Sequence, residues 1–163
     1  VRSEALKTKW LKLCGERLKW LSNQKEKTVV SILEYLSKER TLTFCNSIEQ
    51  TDRLGSHSIN SKKGDNDIII QGFNSGKINH ITACNMVDEG VNLVNCRIGI
   101  YANLSSSERL IKQRLGRLLR HPNPIIVIPY FLGTREVEII DKMLEDYNKD
   151  LVHRISDIKE IKL

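Results

Sequence analysis

The stretch "TLTFCNSIEQTDRLG", residues 41–55, has the pattern of one strand followed by one helix. Residues 41–45 are apolar and β-prone, which predicts a short buried strand. Ser47, with Gln50 three positions later, is the capping-box pattern of a helix start, and Gly55 marks the end of that helix. A buried strand that leads directly into a capped helix is the repeating unit of an α/β fold.

The same alternation continues through most of the chain. Further strands are predicted at residues 56–59, 80–84, 97–103 and 125–130. Helical patterns occupy residues 4–21, 29–36, 68–73 and 134–148, and another helix is predicted to begin at the Ser105–Glu108 capping box and to stop before Pro122 and Pro124. The pattern predicts a mostly parallel sheet with helices on both faces. We expect a helical extension over residues 1–24, the domain over 25–150 and a tail over 151–163.

Composition narrows the class of protein. The 163 residues suffice for one domain with a proper core, and no apolar run approaches the length needed to cross a bilayer, so no membrane partner is expected. A net charge of +6 favours a polyanionic partner. The four cysteines form no C-x-x-C pair, and we interpret them as reduced thiols of a cytoplasmic protein. Because the chain begins at a valine without a secretory pattern, we expect it to be a piece of a larger protein.

The stretch "QRLGRLLRH", residues 113–121, concentrates positive charge on one edge of a predicted helix. At about 100° per residue, Gln113, Arg117 and Arg120 share one narrow stripe, and the leucines fall on the other side. Guanidinium groups in such an array suit phosphate oxygens. Gly116 lies beside the stripe, where a missing side chain lets another surface approach the helix. The alternative is a solvated basic face that the helix macrodipole favours.

Three stretches in order resemble motifs IV, V and VI of superfamily-two helicases: "RTLTFCNSIEQTDRL", "HITACNMVDEGVNL" and "QRLGRLLRH". The resemblance covers residues 40–134 and implies the second, C-terminal RecA-like domain of such a motor. The D-E-G-V-N-L form is most similar to restriction-type and repair-type DNA helicases. The resemblance implies DNA as a partner, and an N-terminal RecA-like domain of the same protein that holds ATP and Mg²⁺.

The resemblance also implies roles at the nucleotide. Arg117 and Arg120 would be arginine fingers on the β- and γ-phosphates, with Gln113 lining the same cleft and Gly116 letting the opposing domain come close. Motif V would bring three further residues to the nucleotide: Glu89, Gly90 and Asn92. Many relatives have Asp where this chain has Asn92, which puts a ribose contact in doubt.

A track for nucleic acid is implied by the same comparison. Asn46 and Ser47 of motif IV, with His57 and Ser58 at the next strand, would follow the phosphates of a single strand. Two motif V residues, Cys84 and Asn85, belong to the same predicted surface. The family often has Thr where Cys84 stands, so one hydroxyl contact would be missing. Ser47 can also serve simply as a helix cap, and both roles can hold together.

Lookalike motifs point away from catalysis by this chain alone. "GFNSGKI", residues 72–78, lacks the spacing of a phosphate loop and the Ser or Thr that would bind magnesium. The Asp-Glu pair of "ACNMVDEG" resembles a Walker B strand, but without a phosphate loop these carboxylates have no magnesium-nucleotide to hold. No metal ligands are predicted, and we expect the chain alone to hydrolyse no ATP. The alternatives are a non-catalytic nucleic-acid-binding or protein-docking module with a helicase-like fold, and an unrelated doubly wound nucleotide-binding domain, which the absence of a Gly-rich strand-to-helix turn disfavours.

Overall fold

A computed structural model describes residues 2–62, 64–84, 91–104, 116 and 121–163. Its strands are β1 (Thr41–Phe44), β2 (Ser58–Ile59), β3 (His80–Ala83), β4 (Ile98–Tyr101) and β5 (Ile125–Val127). Its helices are α1 (Arg2–Gln24), α2 (Glu26–Tyr35), α3 (Ile48–Leu54), α4 (Asn66–Asn74) and α5 (Glu136–Met143). Two 3₁₀ turns, Lys149–Leu151 and Ile158–Glu160, follow near the end of the chain.

The five strands form one sheet in the order β2-β3-β1-β4-β5, and every neighbouring pair is parallel. The central strand β1 sets the register, because its Thr41 lies opposite His80 of β3 and Ile98 of β4. The predicted α/β class with a mostly parallel sheet is therefore confirmed. All carboxyl ends of the strands lie on one edge, where parallel α/β sheets collect their ligands.

Apolar side chains cover both faces of the sheet. On one face Leu42 and Phe44 of β1 pack with the buried Phe73 of α4 and Met143 of α5. On the other face a second buried cluster joins α2 and α3 to alternate residues of β4: Val29, Ile32, Leu36, Leu54, Ile98 and Ile100. The alternation along β1 and β4 explains why the continuous apolar runs predicted buried strands.

Element ends follow turn chemistry. Gly76 has φ +80, a left-handed conformation suited to glycine, two residues after α4 ends. β5 is shorter than the predicted run of residues 125–130, because Pro129 has no N–H to donate to a neighbouring strand. α5 ends at Met143 rather than at residue 148, and residues 144–147 continue as turns. The helix predicted from Ser105 lies outside the described residues, except for Gly116.

The two ends of the chain differ in how they pack. α1 is mostly exposed, and only its last turn enters the core, through Leu21 and Ser22. In the tail, Ile158 and Ile161 pack against the α2 side of the sheet. Among the residues described, no helix has both the length and the apolar character to cross a bilayer.

Candidate functional site

The loop after β1 lies at the carboxyl edge of the sheet and begins α3. Ser47 caps this helix, since its side-chain oxygen accepts a hydrogen bond from the Gln50 amide at 3.2 Å. This is the first half of the predicted capping box. In the second half the Gln50 side chain accepts from the amide of Asn46, at 2.8 Å, one residue earlier than the pattern predicts. The cap role of Ser47 is therefore confirmed.

The Gln50 side chain also ties this loop to the end of α1. It is fully buried; its Oε1 accepts from the Ser22 hydroxyl at 3.1 Å, and its Nε2 donates to the Ser22 carbonyl at 3.2 Å. The single hydrogen of this hydroxyl is shared with the Ala102 carbonyl, just after β4, at the shorter distance of 2.7 Å. Ser22 and Gln50 thus join α1 to the ends of two central strands. Nothing in the local sequence around Ser22 indicates this long-range role.

Asn46 is held by the same helix end. Its Nδ2 donates to the Lys19 carbonyl at 3.2 Å and to Asn23 Oδ1 at 3.0 Å, while its buried Oδ1 has no hydrogen-bond partner within the described part of the chain. A phosphate oxygen needs a donor, and the donor group of Asn46 is already engaged. A phosphate contact from Asn46 therefore requires the contacts to α1 to open.

Charge around Ser47 is mixed. The exposed Glu49 has its pKa lowered, first by a hydrogen bond from its own backbone and then by the Ser47 hydroxyl, with smaller contributions from Lys19 and Lys62. Glu49 is thus an anion beside the predicted phosphate track, with two lysines near it. Any phosphate at Ser47 would compete with this carboxylate.

His57 and Ser58 lie apart from Asn46 and Ser47. They occupy the amino end of β2, an edge strand, rather than the carboxyl edge of the sheet. Ser58 is 1% exposed and its hydroxyl donates to Asp52 at 3.1 Å. The structure therefore does not bring the four predicted track residues together.

Motif V is described at its two ends. Cys84 follows β3 and is buried, with its amide donating to the Ile59 carbonyl at 3.3 Å. Asn92 is exposed, and its carbonyl accepts from the Asn74 side chain at 3.1 Å. Asn74 also accepts from the Val94 amide at 2.8 Å, so it clamps the loop that leaves motif V. Its position at the end of α4 gave no sequence signal. The predicted site residues Asn85, Glu89 and Gly90 lie outside the described residues.

A buried ion pair fixes the start of α2 near the end of β5. Lys25 Nζ lies 2.6 Å from Glu136 Oε1, with side chains 3% and 1% exposed. Lys25 also donates to the Pro129 carbonyl at 3.1 Å, and Glu136 accepts from the Phe131 amide at 3.1 Å. Burial lowers the pKa of Lys25, and Glu136 opposes this effect. The pair therefore holds the α1–α2 junction against the loop that follows β5.

Of the arginine stretch, the structure describes only Gly116 and His121, and Gln113, Arg117 and Arg120 lie outside the described residues. Gly116 is helical and exposed, and a Cβ built on it would meet none of the described atoms within 4 Å. Packing within this part of the chain therefore does not require a glycine there. Among the described residues no group of three or more His, Cys, Asp or Glu side chains could hold a metal ion.

The family profile of the helicase conserved C-terminal domain matches residues 24–122. The chain belongs to this family. The matched range contains the three stretches that resemble helicase motifs IV, V and VI, and it excludes nearly all of α1. No curated protein sequence matches the chain at a significant level.

Solved structures share the fold of this helicase C-terminal domain. A Dbp5 variant of S. cerevisiae bound to RNA and ADP BeF3 matches with a TM-score of 0.61 and 12% identity, over 76% of this chain and 36% of that chain. The C-terminal part of the Fun30 ATPase domain matches with a TM-score of 0.58 and 18% identity, over 74% and 43%. The E. coli DEAD-box protein SrmB, bound to RraA, matches with a TM-score of 0.53 and 15% identity, over 66% of this chain and 71% of that chain. The helicase C-terminal domain thus spans about a third of the first of these chains.

Proposed function

We propose that this chain is the second motor domain of an ATP-dependent DNA helicase or translocase. The observation that carries the proposal is the family match over residues 24–122, which encloses all three motif stretches. The strands described within this range belong to an all-parallel sheet. In the whole protein, closing and opening of the cleft between two RecA-like domains during ATP hydrolysis would move a nucleic-acid strand. This chain would supply one wall of that cleft.

At the nucleotide, Arg117 and Arg120 act as arginine fingers and Gln113 lines the same cleft. ATP and Mg²⁺ are held by the N-terminal RecA-like domain of the same protein. Fixed guanidinium groups stabilise the charge that develops on the transferring phosphoryl group, an effect of about 10³–10⁵ in rate in related phosphoryl transfer. The exposed Gly116 supports this arrangement, because a Cβ there would meet no atom of the described residues and an opposing domain has room to approach.

Motif V supplies the remaining nucleotide contacts through Glu89, Gly90 and Asn92. The exposed position of Asn92, on a loop clamped by Asn74, supports its part in this group. Asn92 carries an amide where many relatives carry a carboxylate, so its side chain can donate to a phosphate oxygen.

Nucleic acid is gripped along the carboxyl edge of the sheet by Ser47 and Asn85, and by Asn46 once its contacts to α1 open. The buried Cys84 lies beneath this edge and shapes it. The position of the β1 loop at this edge supports the assignment, and His57 and Ser58 are left outside the track. DNA is preferred over RNA on the D-E-G-V-N-L form of motif V. The chain's net charge of +6 suits either polyanion.

The finger assignment is tested in the full-length protein by measuring ATP turnover and DNA binding for Arg117→Ala and Arg120→Ala. We expect turnover to fall by about 10³-fold or more while DNA affinity stays within about twofold. Arg154→Ala is the matched control, because Arg154 is exposed and pairs with Asp141 at 2.6 Å, far along the chain from motif VI. This control should turn over ATP normally.

Three outcomes would overturn the proposal. One is equal loss of DNA binding and turnover in the two arginine variants. Another is appreciable ATP hydrolysis by the 163-residue chain that survives Arg117→Ala. The third is a full-length protein without an ATP-binding domain, which would decide for a non-catalytic binding module. Comparing stimulation of turnover by single-stranded DNA and by RNA tests the preference for DNA.

A further inference from the structure

α1 carries an apolar stripe that the domain does not cover. Leu6, Trp10, Leu13 and Trp20 are 65%, 65%, 52% and 59% exposed. At about 100° per residue the four lie along one side of the helix. Leu21 enters the core next to this side, so the stripe continues from the buried end of α1 along the part of the helix that the domain leaves exposed. Two tryptophans and two leucines in one exposed row exceed the scattered apolar residues of an ordinary surface, which indicates a binding surface.

The stripe is held in a fixed orientation relative to the candidate site. The last turn of α1 is anchored to the ends of β1 and β4 through Ser22 and Gln50, and Asn46 donates to the Lys19 carbonyl. A helix of 23 residues extends about 34 Å from such an anchor. Whatever covers the stripe at Trp20 is therefore positioned next to the carboxyl edge of the sheet.

We propose that the apolar stripe of α1 docks the ATP-binding domain of the same protein. This inference rests on the proposed function, which requires that domain. α1 lies immediately before the matched range of residues 24–122. Because the proposed function places the ATP-binding domain N-terminal to this domain, α1 connects the two motor domains. α1 also carries six Lys or Arg residues and two Glu residues, so the complementary surface is an apolar groove with an acidic rim.

The size of the stripe favours this occupant over a second copy. With aromatic side chains offering about 150–250 Å² each, the stripe presents on the order of 500 Å². Two copies would bury about 1,000 Å², below the roughly 1,200–2,000 Å² of a stable interface between separate proteins. A domain attached through α1 itself has an effective concentration in the millimolar range, so a smaller interface is sufficient.

The test is amide hydrogen exchange of residues 6–17 in the full-length protein and in the 163-residue chain. We expect at least tenfold slower exchange in the full-length protein, independent of protein concentration. The double variant Trp10→Ser/Leu13→Ser should abolish this protection. The matched control is Lys12→Ser/Glu16→Ser, which removes an exposed ion pair outside the stripe, with Lys12 Nζ 3.9 Å from Glu16 Oε1. This double variant should leave the protection unchanged.

Failure of this inference is distinguishable from failure of the proposed function. If Arg117→Ala stops ATP turnover but α1 exchanges equally fast in both proteins, the docking is overturned and the motor function stands. Protection that grows with protein concentration would assign the stripe to a second copy instead. Protection that appears only with anionic phospholipid vesicles would assign it to a membrane surface. Both of these results overturn the docking proposal.

Discussion

Replacing Gln50 with leucine removes the side chain that joins α1, α2 and the β1 loop. Gln50 is fully buried and accepts from the Asn46 amide and the Ser22 hydroxyl. It also donates to the Ser22 carbonyl and, at 3.3 Å, to Glu26 Oε1. Leucine has a similar volume, so Gln50→Leu tests the hydrogen bonds rather than the packing.

The expected loss of stability follows from the groups left without a partner. The Ser22 hydroxyl keeps its bond to the Ala102 carbonyl, and Glu26 keeps its ion pair with Arg53 at 2.7 Å. The Ser22 carbonyl keeps its hydrogen bond from the Lys25 amide at 3.2 Å, so the Asn46 amide is the group that loses its partner. An orphaned buried polar group costs about 1–3 kcal/mol, so we expect Gln50→Leu to destabilise the fold by about 2 kcal/mol. For a chain of this length that corresponds to a fall in Tm of about 4–8 °C.

Urea unfolding of the chain, followed by circular dichroism, measures this difference. Gln24→Leu is the matched control, because Gln24 is exposed at the end of α1 and the substitution has the same chemistry. We expect the control to change stability by less than about 0.5 kcal/mol. Equal effects of the two substitutions would refute the inference that the Gln50 hydrogen bonds anchor α1.

Two further predictions concern buried ionisable groups. Burial, and secondarily the charge of His57, lowers the pKa of His80 to about 4 from 6.5. Between these two pH values the unfolded chain binds a proton that the folded chain does not, so the free energy of unfolding should fall by up to about 3 kcal/mol as the pH drops from 6.5 to 4. His80→Phe should remove much of this pH dependence, measured as the midpoint of urea unfolding at each pH. A pH dependence equal to that of the unmodified chain would contradict this prediction. Glu136→Leu leaves the buried Lys25 ammonium without its carboxylate and should destabilise by about 3–5 kcal/mol. Lys25→Met/Glu136→Leu should lose less than the sum of the two single variants in a double-mutant cycle, whereas additive losses would show that the pair is not coupled.

The fold could be predicted because its signals are local. Each strand is marked by a short apolar run. The start of α3 is marked by Ser47, whose side chain accepts from an amide three residues later, and the end of α4 is followed by Gly76, whose positive φ suits glycine. The errors have local causes as well. Pro129 shortens β5, although the apolar run continues through Ile128.

The candidate site was predictable in its location but not in its contacts. The motifs place Asn46 and Ser47 after a strand of a parallel sheet, and the topology alone sends both to the carboxyl edge. His57 and Ser58 were expected at the end of a strand over residues 56–59, whereas β2 covers only Ser58–Ile59, so the two residues lie at its amino end. Short edge strands have too few residues for periodicity to locate their ends.

Long-range partners decide which atoms at the site are available. The spacing of Ser47 and Gln50 predicts a cap, but nothing in that spacing indicates that the Gln50 side chain meets Ser22, 28 residues earlier. In the same region, the side-chain amide of Asn46 donates to Asn23 Oδ1, so this donor is already engaged. A motif therefore identifies the residues at the edge of the sheet, whereas packing of α1 determines whether Asn46 can donate to a phosphate. Because one helix carries both the uncovered apolar stripe and this contact, the proposed docking on α1 and the proposed grip on a strand at β1 would depend on the same few hydrogen bonds.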